Sequence, residues 1–367
     1  PNSSISGTLR YGLHYSRLSL SAALSRGARL AFRRPLNAFI RRAFLGRLLG
    51  PKALLRYARY GLRKLAGARV PGTAMIALTF DCQCACGCCS SAGFRRRYGR
   101  AVMDFGVAAR RLQEVIDLGV PRVHFTGGEA TLFPRLPELV KLCAGAGVTV
   151  FVETNGLSVT PSLVDALKAA GLASLNVSLD SDSDAEHDAL RGAPGCRAAA
   201  VKAIRLCAER GLPCMASAYA TRASISGGGL ARLIKAARDE GAGAVRVLAP
   251  VASGGWAGDL DRVELAPGDP AEVELAGPLF YPVLNRTRPV QCALPDAYKV
   301  FILPDGALAP CEHLPFVFAG SARAGLRETL DRMKGLPLFK ERTYCWPRNR
   351  EFRAVHFPAA PGEITEI

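Results

Sequence analysis

LTFDCQCACGCCSSAGF, residues 78–94, holds five cysteines within the eight positions from Cys82 to Cys89. The hydrophobic lead-in MIALTF reads as a buried strand, and the cysteines then stand on the loop that leaves its C-terminal end. Pairs four apart are Cys82 with Cys86 and Cys84 with Cys88, but only the first has another cysteine three residues on, Cys89. One register therefore fits C-x3-C-x2-C. The chain's other seven cysteines are scattered, unlike the regular framework of a small secreted disulfide scaffold. A dense thiol group of this kind points to metal chemistry in a reducing compartment.

Outward from that loop, short β-rich runs alternate with helical patterns. MIALTF is followed by residues 103–118, VHF, residues 135–146, VTVFV, residues 162–170, LNVSL, residues 197–210, MASAYA, residues 228–240 and VRVL. Six strands alternating with helices predict parallel βαβ units, with function at the C-terminal strand ends. Gly127, Gly128 and Glu129 follow the second strand. Glu153, Thr154, Asn155 and Gly156 end the third. Asn176 to Asp180 close the fourth, with His187 and Arg191 just beyond.

C-x3-C-x2-C after the first strand, then GGE, TNG and S-x-D with a following arginine, resembles the radical S-adenosylmethionine (radical SAM) superfamily over roughly residues 75–250. The resemblance implies an α/β fold, a partial (β/α)6 TIM-like barrel of parallel strands. It also implies that Cys82, Cys86 and Cys89 hold three irons of a 4Fe-4S cluster, thiolate ligation being its physical basis. The open iron would chelate the amino and carboxylate groups of S-adenosylmethionine. Gly127, Gly128 and Glu129 would meet the cofactor's amino group through their backbone, Asn155 and Ser178 its ribose or methionyl polar atoms, and Arg191 its carboxylate. The implied activity is that of an enzyme that cleaves S-adenosylmethionine reductively to a 5′-deoxyadenosyl radical, which removes hydrogen from a substrate; the electron would come from a flavodoxin or ferredoxin. Two positions depart from the pattern: Cys88 stands where an aromatic residue commonly packs on the adenine, and Ala130 replaces a common proline. Cys84 and Cys88 receive no role. The competing class is a zinc or soft-metal module, which accounts for the cysteines but not for the ordered elements downstream.

Farther on, Cys292, Gly306, Cys311 and Cys345 form C-x13-G-x4-C with a later thiol. This resembles the opening of the SPASM or twitch extension and implies one auxiliary Fe-S cluster, with His313 or a substrate atom as a further ligand. The segment YKVFILPDG between them reads as a hairpin closed at Pro304, Asp305 and Gly306. Cys143, Cys196, Cys207 and Cys214 read as structural. The expected organisation is a basic helical region over 1–72, the core over 73–252, a connection over 253–289 rich in Gly, Pro and acidic residues at its start, and the extension over 290–367.

Charge is concentrated at one end. Residues 1–70 carry 15 Lys and Arg and no Asp or Glu, against a net charge of +17 for the chain. Leu36, Phe39, Ile40, Ala43, Phe44 and Leu48 recur at helical spacing, as do Leu54, Leu55, Ala58, Leu62 and Leu65, with arginines between them. Such helices suit either an anionic membrane surface or packing on the catalytic body. An Arg-rich, acid-free start also resembles an organellar transit peptide. No run is long and apolar enough to span a bilayer. The expected location is cytoplasmic, peripheral at the inner membrane face through residues 30–66. A lipid or other membrane-associated substrate fits this arm better than a peptide, because no strand-rich peptide-recognition region precedes the core. RNA is a further alternative, though few aromatic residues interleave with the arginines.

Overall fold

The computed structural model describes residues 26–259, 264–287, 292, 294, 298–340, 345–357 and 363–367. Two helices, α1 (Arg26–Arg47) and α2 (Pro51–Leu65), precede an alternating series. It runs β1 (Thr73–Thr79), α3 (Ala92–Tyr98), α4 (Phe105–Leu118), β2 (Arg122–Gly127), α5 (Leu136–Gly145), β3 (Thr149–Thr154), α6 (Pro161–Ala169) and β4 (Ser174–Ser178). It continues with α7 (Asp184–Arg191), α8 (Cys196–Arg210), β5 (Cys214–Tyr219), α9 (Arg222–Ser226), α10 (Gly229–Asp239) and β6 (Ala244–Leu248). The six expected strands pair in chain order, all parallel. Burial is near-continuous in β1, β3, β4 and β5, as a parallel sheet covered by crossover helices requires, while β2 alternates buried with part-buried residues.

Local chemistry sets the helix ends. Asp104 caps α4 by accepting from Gly106 N at 2.8 Å, and Thr160 caps α6 ahead of Pro161 in its first turn. Gly192 ends α7 in the left-handed region at φ 58°, where a side chain would be strained.

The region read as a connection contributes more than a link. After α11 (Asp269–Ala276), β7 (Val283–Arg286) adds a seventh parallel strand beside β6. On the opposite edge, β8 (Lys299–Ile302) pairs parallel with β1 and returns antiparallel as β9 (Leu308–Ala309). The sheet order is β7-β6-β5-β4-β3-β2-β1-β8-β9. The expected hairpin is present: Gly306 adopts φ +83° and the Asp305 side chain accepts from Ala307 N at 2.9 Å. Beyond it come β10 (Phe316–Val317), α12 (Leu326–Gly335), α13 (Arg350–His356) and β11 (Thr365–Glu366), the last paired with β10.

Both arm helices pack on this body. Phe44, Leu45 and Leu48 meet Phe151, Met215, Ala244 and Leu284. Those four share strand parity with Glu153, Ser217, Arg246 and Arg286 and lie one layer nearer the strand starts, so α1 and the turn after it close that end. Arg33 donates to Leu275 O at 2.8 Å and Gly277 O at 2.7 Å at the end of α11. From α2, Arg56 reaches Ile116 O, Val120 O and Ala146 O, and Arg63 reaches Leu118 O. These guanidiniums satisfy orphan carbonyls at the ends of α4 and α5, where the helix dipole also favours a cation. The packing alternative therefore describes the inner face of the arm.

Candidate active site

At the C-terminal end of β1 the chain enters the cysteine loop. Cys82 Sγ receives Cys84 N at 3.4 Å and the Asn155 side-chain amide at 3.7 Å. Cys86 Sγ receives Arg191 Nη1 at 3.8 Å. Donors aimed at sulfur favour the thiolate. Hydrogen bonding from Cys84 lowers the Cys82 pKa, and the same thiol together with Arg191 brings Cys86 down to about 6. Burial raises Cys89 instead.

The strand-end motifs close around this loop. Gly128 N donates to Thr79 O at 2.6 Å, and a Cβ at Gly128 would overlap the Asp81 carbonyl. Gly127 holds φ +127° against Thr79. Only glycine permits both approaches. Glu129 is almost wholly buried, and its carboxylate accepts from Asn155 N at 2.7 Å and from the Thr131 backbone and hydroxyl. That side chain ties the ends of β2 and β3 together, while burial raises its pKa. Asn155 also donates to Gln83 Oε1 at 3.1 Å. Arg191 pairs with Asp180, whose other oxygen accepts from Tyr219 N at 3.0 Å. Arg191 Nε is buried and has no hydrogen-bond partner among the described residues.

Cys82, Cys86, Cys89, Gly127, Gly128, Glu129, Asn155, Ser178 and Arg191 all line one cavity of about 500 Å³. Two features of its rim escape sequence reasoning. The first is the turn Gly254–Trp256 after β6, assigned above to a connection: Gly255 N donates to Cys89 O at 3.0 Å, and neither Gly254 nor Gly255 has room for a Cβ against the cysteine loop. Trp256 packs with Cys88 and Ala252, so Cys88 seats the loop on this turn. The second is a polar layer deeper in the cavity. Glu153 accepts from His124 Nδ1 at 2.8 Å, from Asn176 Nδ2 at 2.9 Å and from Arg246, which forks across both its oxygens. Burial would raise Glu153, but Arg246 and His124 override it and hold its pKa well below the carboxylate range. Burial lowers the His124 pKa although its Glu153 partner raises it. The signal in sequence is a charged residue, Arg246 in VRVL and Glu153 in TVFVET, within an otherwise uncharged strand.

Cys84 lines the same cavity, and besides meeting Cys82 and Cys86 its sulfur lies 3.9 Å from that of buried Cys196.

A model of the radical SAM superfamily matches residues 76–220. A PqqA peptide cyclase from Ruegeria pomeroyi is 31% identical over 257 residues, covering 65% of this chain and 67% of that protein. The chain belongs to the radical SAM superfamily. An AdoMet-dependent heme synthase from Methanosarcina barkeri is 38% identical over 84 residues, covering 23% of this chain and only 24% of that protein. In fold, the chain is similar to Streptococcus suis SuiB bound to precursor peptide SuiA, with TM-score 0.57, 18% identity and coverage of 79% of this chain and 71% of that one.

As a radical SAM enzyme the protein uses a 4Fe-4S cluster and S-adenosylmethionine. The residues present fit both groups. Two thiols carry N–H donors, paired glycines leave backbone exposed where a Cβ would not fit, and the orphaned Arg191 Nε supplies a buried donor.

In the extension, Cys311, Cys345 and Cys292 share a neighbourhood with Lys299. Burial and then Glu312 raise Cys311, and burial and then Cys292 raise Cys345 to about 11. Lys299 pairs with Glu312 at 2.5 Å. His313 Nδ1 lies 3.1 Å from Ser253 Oγ and its Nε2 3.5 Å from Glu312, so both ring nitrogens already face protein groups.

Proposed function

We propose that this radical SAM enzyme modifies a peptide. The observation that carries the reading is the 31% identity to a PqqA peptide cyclase across two thirds of that protein. The cavity of about 500 Å³ continues from the cysteine loop to Arg122 and Arg286, so a side chain presented by a peptide would share it with the cofactor. Bound at the cysteine loop, the cluster and S-adenosylmethionine supply a one-electron cleavage and a carbon radical able to take a hydrogen atom from an unreactive C–H bond.

The chain's own residues do the rest. Asn155 and Arg191 steady the Cys82 and Cys86 thiolates, and Arg191 Nε is the donor for the cofactor's carboxylate. Gly127 and Gly128 offer main chain to its amino group, and Ser178 a hydroxyl. His124, oriented by Glu153 and lining the same cavity, is the residue placed to exchange a proton with the substrate. Cys292, Cys311 and Cys345 hold an auxiliary cluster, and their common position beside Lys299 supports this. A variant with Cys82, Cys86 and Cys89 all changed to Ala should then retain iron and sulfide after reconstitution; complete loss would remove the auxiliary cluster.

The deciding experiment incubates the reduced, reconstituted enzyme with S-adenosylmethionine and separated peptide and lipid extracts. Peptide-dependent 5′-deoxyadenosine is expected. Release that depends on lipid alone would reverse the substrate class.

A second reading concerns location. Among the described residues no helix is long and apolar enough to cross a membrane. Outward from the packed face of α2, however, Leu54, Leu55, Leu62 and Leu65 are more than half exposed beside Lys52 and Arg59. This apolar face with flanking cations supports peripheral binding to anionic lipid. Co-sedimentation with phosphatidylglycerol vesicles at low salt is expected; equal recovery with neutral vesicles would remove it.

A further inference from the structure

The cavity holds more positive charge than the cofactor motifs use. Three ion pairs face it: Arg191 with Asp180, Arg246 with Glu153, and Lys299 with Glu312. Arg122 on β2 and Arg286 on β7 also line it, and neither meets a carboxylate among the described residues. Arg122 donates to Thr73 Oγ1 at 3.0 Å and to the Tyr298 hydroxyl at 2.9 Å, both neutral groups. Arg286 keeps much of its surface exposed, and the partial burial of its guanidinium followed by the charges of Arg122, Arg246 and Arg41 depresses its pKa. Guanidiniums from β2, β6 and β7 thus line one cavity, and of these three only Arg246 meets a carboxylate, that of Glu153. Like charges held together at the side of a part-buried cavity are unfavourable unless an anion joins them.

The position separates this excess from the cofactor. Arg122 begins β2 and Gly127 ends it, roughly 17 Å farther along the strand. An anion at Arg122 is therefore not the carboxylate assigned to Arg191. The same cavity already shows the pairing the site would use, since Arg246 grips both oxygens of Glu153.

We propose that Arg122 and Arg286 form a subsite for a carboxylate of the substrate, which anchors it at the Arg122 end of the cavity while its reactive C–H faces the cysteine loop. This rests on the cavity being the substrate chamber of a radical SAM enzyme. On a peptide the group is an acidic side chain or the chain's own C-terminus.

The test uses the full chain reconstituted anaerobically, with calorimetric titration by glutarate, its neutral diamide glutaramide, and inorganic phosphate. Glutarate should bind the wild type and glutaramide should not. Arg122→Gln and Arg286→Gln should each weaken glutarate about tenfold, Arg286→Lys should weaken it less, and Arg42→Gln, exposed on α1, should leave it unchanged. Iron content and circular dichroism report whether each variant has folded. Failure of the wild type to bind glutarate, equal binding of glutaramide, preference for phosphate, or affinities within twofold across folded variants would each overturn the carboxylate subsite. If a variant does not fold, the wild-type comparison of glutarate with glutaramide still decides. Failure of the cofactor site itself would appear separately, as absence of 5′-deoxyadenosine from the reduced wild type.

Discussion

Gly254 and Cys89 touch through their backbones: at φ +54° the glycine leaves no space for a Cβ, which would overlap the Cys89 carbonyl oxygen. The turn after the sixth strand thereby sets the height of the cysteine loop. Replacement with alanine forces strain on the order of 1–3 kcal/mol or displaces the loop. Gly254→Ala should therefore reconstitute with clearly less iron and sulfide, with far-ultraviolet circular dichroism unchanged. Full iron occupancy would show that the loop does not need this support.

Ligand choice among the five clustered thiols can be read in the same assay. Cys82→Ala, Cys86→Ala and Cys89→Ala should each abolish the electron paramagnetic resonance signal of the reduced SAM-binding cluster. Cys84→Ala and Cys88→Ala should keep it, because both fall outside the C-x3-C-x2-C register, with Cys84 also in contact with Cys196 and Cys88 packed on Trp256. Loss of the signal in Cys84→Ala alone would assign the ligand set to the wrong register.

Much of this was legible in advance. The strands and their order follow from buried β-rich runs spaced by amphipathic segments, and the site follows from motifs at successive strand ends. What escaped depends on contacts between distant parts of the chain. Nothing in the local pattern around Gly254 tells that it meets Cys89, and VLNR after two prolines is too short to announce β7. Likewise, the periodicity of the arm shows a basic amphipathic helix, but not that Arg56 spends its charge on carbonyls at the ends of α4 and α5. The preference for a lipid substrate drew on that basic face, and half of its support goes with the packing.

Acid sensitivity should expose the Lys299 and Glu312 pair. Burial opposes ionisation of Glu312, but Lys299 and then His313 outweigh it and hold its pKa at about 2, against an ordinary 4.5. A depressed carboxylate contributes stability that is complete above pH 4.5 and is lost as pH falls through about 2. Glu312→Gln should flatten the stability profile across that window, and it should cost about 3 kcal/mol at neutral pH by leaving Lys299 partly buried without its partner. Denaturant midpoints measured from pH 7 downward check both; an unchanged slope would dissociate this pair from acid unfolding.

The arm should reveal its attachment through single arginines. Arg56→Ala removes three charge-assisted bonds to main-chain oxygens and should lower stability by about 2 kcal/mol. Arg59→Ala, at an exposed position of the same helix, should stay within about 0.5 kcal/mol. Chemical denaturation compares them, and equal effects would mean that α2 is not held by its capping contacts.

Phe44, Leu45 and Leu48 seat against the innermost apolar layer of the strands, and this has a consequence for traffic. Among the described residues these side chains stopper the chamber at its base, so nothing reaches the polar layer around Glu153 through that end of the strands.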